Sequence, residues 1–81
     1  MTLSYDKLAD VLYVTFEASP PGSYIYTEND AGDVLRLDRS SKKVVGVTIP
    51  AFAERAARGP VVIPEVGPVP FNEFAEDLLH A

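Results

Sequence analysis

The chain has 81 residues, no cysteine, one histidine (His80) and a formal net charge of −5. Disulfides are therefore excluded and a structural zinc site has almost no ligands to draw on. An acidic total also opposes nucleic-acid binding, because affinity for the phosphate backbone needs clustered Lys and Arg.

A chain this short is expected to be a single domain, residues 1–81, burying roughly 60% of its unfolded surface. With no disulfide and no metal, self-association is the remaining way to bury more. Apolar content of 47% is that of a globular protein. No basic segment precedes an apolar stretch at the N-terminus, and no run approaches the ~20 apolar residues of a membrane span. The expectation is a soluble cytoplasmic protein with no membrane and no nucleic-acid partner. Charge is banded: residues 1–38 and 59–81 are acidic, whereas 39–58 carry Arg39, Lys42, Lys43, Arg55 and Arg58 against Glu54 alone. That basic band is read as a hairpin turn followed by the solvent face of a short helix.

In chain order, Leu3 to Asp6 forms a short first strand, and Asp6 is placed to bond the backbone two residues on. Asp10 to Glu17 is the clearest strand, with Leu12, Val14 and Phe16 on one face and Val11, Tyr13 and Thr15 on the other. Ser19-Pro20-Pro21-Gly22 breaks it, since proline offers no ladder donor. Ser23 to Glu28 is the next strand, with Tyr24 and Tyr26 facing opposite to Ile25. Asn29-Asp30-Ala31-Gly32 signals a hairpin loop, and Asp33 to Arg39 follows with Leu35 and Leu37 on one face. After the turn Ser40-Ser41-Lys42, Lys43 to Ile49 places Val45, Val47 and Ile49 on one face and Val44, Gly46 and Thr48 on the other. A glycine within a strand marks a bulge or a close approach by another backbone.

Short connections favour neighbouring pairing, so residues 1–50 are expected to form an antiparallel β-meander of four to five strands. The fold class is then α+β, mainly β. Residues 51–58 are predicted as a short helix, with Pro50 at its first turn and Gly59-Pro60 as its stop. Residues 60–70 form a Pro-rich extended segment that lies along a surface. Residues 71–81 form a C-terminal helix capped by Asn72, with Phe74, Leu78 and Leu79 as its apolar stripe.

A half-buried sheet shows one apolar and one polar face. Here the predicted core face is Leu12, Val14, Phe16, Leu35, Leu37, Val45, Val47 and Ile49. The second face, with Val11, Tyr13, Val34, Val44 and one member of the Tyr24–Tyr26 strand, is far from fully polar. Its cover would come from the chain's own tail, a second copy or another protein.

Catalytic machinery is not evident. There is no thiol nucleophile, no Gly-rich phosphate loop, and only His80 to serve a Ser-His-Asp arrangement. Carboxylates gather at turns: Asp6 and Asp10 around the first, Glu28, Asp30, Asp33 and Asp38 around the next hairpin. Paired carboxylates can bind divalent cations or act as an acid–base pair, but the Asn29–Asp33 stretch lacks calcium-loop spacing. Asp6 and Asp10 are read as turn formers that accept backbone donors. The expectation is no catalytic residue, no metal ligand and no cofactor.

Tyr5-Asp6-x-x-Ala9-Asp10-x-Leu12-Tyr13-Val14-x-Phe16, with Leu35-x-x-Asp38 and Val44-Val45-Gly46-Val47-x-Ile49, resembles the prokaryotic family catalogued as domain of unknown function 2283. The resemblance covers about residues 3–50 and implies a compact antiparallel sheet followed by a helix. It carries no established activity and no functional residues. Ser40-Ser41-Lys42 departs from the family's common Asp-Gly-type turn. Because some members lie beside small toxin-like genes, the resemblance also implies an antitoxin role.

Three functional readings follow. The leading one is a non-catalytic, self-associating protein-interaction module, a homo-oligomer able to bind a partner protein. The second is an antitoxin-like neutraliser whose acidic bands mask a small basic toxin. The third is a weak metal-binding or carboxylate-based enzyme using Asp6, Asp10 or Asp38.

Overall fold

The computed structural model describes residues 1–67 and Phe71. The remainder of the predicted C-terminal helix, with Asn72, Phe74, Leu78 and Leu79, and residues 68–70 of the Pro-rich segment lie outside the described residues. Five strands, β1 (Thr2–Asp6), β2 (Val11–Thr15), β3 (Tyr24–Glu28), β4 (Val34–Asp38) and β5 (Val44–Pro50), precede one helix, α1 (Phe52–Arg58). All strand pairs are antiparallel and the sheet order is β1-β2-β5-β4-β3.

The predicted antiparallel sheet is thus present, with one connection that does not join neighbours. Between β2 and β3 the chain crosses to the far edge. Two prolines leave the ladder there, and both the Ser23 amide and its hydroxyl donate to Pro20 O, at 3.1 and 2.6 Å. β5 takes the place beside β2 instead. It is the longest strand and has the most buried residues, so the centre of the sheet removes most apolar surface from water. The more exposed β3 is left at the edge.

Leu12, Val14, Leu35, Val47 and Ile49 line the core face and pack with Phe52, Val61, Ile63 and Phe71. Each fully buried side chain of this kind contributes about 1.5–3 kcal/mol relative to exposure. Helix α1 supplies Phe52, whose ring meets Tyr5 edge-on at 6.1 Å. Residues 61–67 run over the same face, with Val61 and Ile63 buried and Val62 exposed. Amides of Val66 and Gly67 both donate to Ile63 O, closing a turn over Pro64.

Three local readings are corrected by the backbone. Pro50 ends β5, opposite Val11, rather than opening the helix. The helix starts after Ala51, which takes a left-handed φ of 51°. A register shift between Arg36 and Leu37 makes Gly46 the partner of Arg36 but Val44 the partner of Leu37, so Val45 is an extra residue. This bulge turns Val44 away from the second face; it lines a cavity with Phe16 and Val66 on the core side.

Candidate functional site

The opening motif is a structural clamp. Asp6 Oδ1 accepts the amides of Leu8 and Ala9 at 3.0 and 3.1 Å, which shapes the turn between β1 and β2 as its side chain predicts. Asp10 does something its own neighbourhood does not announce. It sits at φ 55°, a conformation Asp tolerates better than most residues. Its Oδ1 accepts the Ala53 amide at 2.7 Å and the Tyr5 hydroxyl at 2.6 Å, while Oδ2 accepts the Glu54 amide at 3.4 Å. Its carbonyl accepts the Phe52 amide at 3.1 Å.

Ala51 offers no side-chain cap, so Asp10 caps α1 from another part of the chain and satisfies its free amides. Burial pushes the Asp10 carboxyl up, but the Tyr5 hydroxyl and the two helix amides outweigh it and hold it below its ordinary value. The same hydrogen bond, with burial and the nearby carboxylates, pushes the Tyr5 phenol up to about 12.

The other carboxylates are also engaged in the fold. Asp38 Oδ1 accepts the amides of Ser41 and Ser40 at 2.8 and 2.9 Å, bonds that lower its pKa. Lys42 in that turn takes φ 63°, a left-handed position that glycine would hold without strain. Asp33 is fully buried and paired with Arg55 through both carboxylate oxygens, at 2.5 and 3.3 Å, with Asn29 Nδ2 donating to Oδ2 at 3.1 Å. Arg55 is therefore an anchor between α1 and the β3–β4 loop, not part of a solvated helix face. Arg58 pairs with Glu54 in the open, as predicted for that face.

The register sets Asp6 and Asp10 at one end of the sheet and Asp38 at the other, so the three are not brought together. Among the described residues, no three His, Cys, Asp or Glu side chains converge to hold a metal ion.

The remaining concentration of unusual chemistry lies on the outer face of the sheet. Arg36 lies flat across Gly46, and its Nη2 donates to Val14 O at 3.1 Å and to Thr15 Oγ1 at 2.8 Å. A Cβ at position 46 would come within 2.6 Å of the Arg36 Cζ. The strand glycine thus answers a close approach by a side chain, in addition to the adjacent bulge. Tyr24 stands 5.9 Å from the guanidinium and meets Tyr26 edge-on at 5.4 Å. Arg36 Nε is buried without an acceptor. Tyr13, at 45% exposure, and Tyr26, at 64%, present large rings to solvent on this face.

No local sequence signal links Arg36 to Gly46 or Asp33 to Arg55. Each pair becomes visible only once strand order and helix placement are known. What the chain defines is a small five-stranded antiparallel sheet, covered on one face by a helix and an extended segment, with a tyrosine–arginine patch on the other. Comparison with protein-family models, with curated proteins and with solved structures found no match.

Proposed function

We propose that this protein is a non-catalytic, self-associating interaction module, related to the domain of unknown function 2283 family through its Tyr5–Phe16 motif. The observation that carries this reading is the outer face. It exposes Tyr13 and Tyr26 on the face that carries half-buried Arg36, whose Nε is buried, the residue types enriched at protein interfaces. The carboxylates that an acid–base reading would recruit support the module instead: Asp6, Asp10 and Asp38 each accept two or more structural hydrogen bonds. Small size adds to the case, since a second copy contributes buried surface that one 81-residue chain lacks.

Co-expression of two copies bearing different affinity tags tests the proposal. Capture through one tag brings down the other in a stable stoichiometry if the module self-associates. Recovery of only the captured copy, at expression levels well above micromolar, would sink it.

A further inference from the structure

We infer that a second copy of this chain pairs antiparallel along strand β3, about a two-fold axis normal to the sheet through Tyr26. This rests on the self-association proposed above and places it at the sheet edge that carries Tyr26, leaving Tyr13 and the rest of the outer face open to a partner protein.

Backbone phase comes first. At the two ends of the β3–β4 ladder, Asn29 N donates to Asp33 O at 3.0 Å and Arg39 N donates to Ser23 O at 2.9 Å. The register between them is unbroken, with Tyr24 opposite Asp38 and Glu28 opposite Val34. Hydrogen-bonding pairs alternate along an antiparallel ladder, so Ile25 and Thr27 direct their N–H and C=O groups to β4. Those of Tyr24, Tyr26 and Glu28 point out of the sheet edge. β3 is the last strand in the sheet, and Tyr26, Thr27 and Glu28 are exposed. The strand contains no lysine or proline and no bulge, the devices by which natural edges avoid pairing.

A two-fold axis at Tyr26 sets each outward-pointing residue against another. Tyr26 meets its own copy, and Tyr24 meets the copy's Glu28. Each such pair exchanges N–H and C=O groups. The interface is isologous and closes after two copies, and the axis direction keeps both core faces on one side of a continuous sheet.

Charge selects this orientation. At the Tyr24 end of the edge, exposed Arg39 is fastened to the strand's entry by its Nε, which donates to Gly22 O at 3.2 Å, and Lys42 Nζ donates to Arg39 O. At the opposite end stand Glu28 and Asp30, both exposed. Antiparallel self-pairing brings Asp30 of each copy opposite Gly22 of the other, beside Arg39. Parallel addition would set like charge against like.

Five variants and the wild-type mass test this together. Residue 26 meets its own copy at a Cα separation of about 5.5 Å, within reach of a short thiol–thiol cross-linker. The chain has no other thiol, so Tyr26→Cys with a short bis-maleimide is expected to form a covalent dimer while Ser4→Cys, on the other edge strand, stays monomeric under denaturing electrophoresis. Tyr26→Pro removes an N–H that β4 does not use; it is expected to keep the far-ultraviolet circular dichroism of the fold and lose the dimer. Arg39→Glu is expected to weaken the dimer about tenfold, because the contact occurs on both sides of the axis, and Asp30→Lys in the same chain to restore it. A wild-type chain that is monomeric throughout would refute self-association itself. A wild-type dimer that survives Tyr26→Pro, with no preferential cross-linking at position 26, would overturn the β3 edge while leaving self-association standing.

Discussion

Replacing Asp10 by alanine removes one side chain that serves Tyr5 and helix α1 at once, and the cost can be assembled from its bonds. Loss of a helix cap costs about 1 kcal/mol, within a range of about 0.5–2. The Tyr5 hydroxyl loses a charged acceptor at 2.6 Å, worth about 1.5–3 kcal/mol. Alanine at φ 55° adds strain of a few tenths to about 1 kcal/mol over aspartate. The total is about 3 kcal/mol, and for a domain of this size each kcal/mol lowers Tm by about 4–8 °C. Thermal unfolding followed by circular dichroism should therefore show Asp10→Ala melting about 12–24 °C below wild type.

Asp10→Asn keeps one acceptor oxygen and tolerates the backbone angle, so it is expected to lose no more than about half as much. Linkage gives the same clamp a pH signature. The folded Tyr5 phenol ionises near 12 instead of 10, so its contribution is complete below pH ~10 and fades as pH rises toward ~12. The lowered Asp10 carboxyl does the reverse, contributing above pH ~4 and failing as pH falls through its folded value. A Tyr5→Phe chain should lose the part of the alkaline slope that Tyr5 contributes. An Asp10→Ala chain melting within about 2 °C of wild type would refute the clamp.

Other substitutions probe the remaining contacts. Gly46→Ala should cost about 1–2 kcal/mol by displacing the Arg36 guanidinium from Val14 O and Thr15 Oγ1. The penalty should vanish in an Arg36→Met background, a coupling that a double-mutant cycle in urea measures. Asp33→Ala strands the Arg55 guanidinium and should destabilise by about 3 kcal/mol in the same assay, far more than Glu54→Ala in its exposed pair. Lys42→Gly relieves a left-handed residue and should raise Tm by about 4 °C.

The strands and their core face were readable because period-two alternation acts within a few residues. Leu12, Val14, Leu35, Val47 and Ile49 are all buried where that alternation puts them. Asp6 was readable for the same reason: its acceptor reaches amides two and three residues away. Long-range placement was not. Asp10 looks like a turn former until Ala53 is carried 43 residues back to it. Asp33 looks like one of several loop acids until Arg55 covers it. The crossing from β2 to β3 depends on which strand gains most from the centre of the sheet, a comparison among all five strands that no local pattern contains. The bulge that turns Val44 toward the core likewise arises from the β4–β5 register.

Self-association is tested most directly by solution mass from light scattering across a dilution series at low and high salt. A species of twice the 8.8 kDa chain mass, dissociating on dilution and more readily at high salt as screening removes the rim charges, is the predicted result. A chain that scatters as an 8.8 kDa monomer at every concentration and salt would contradict it.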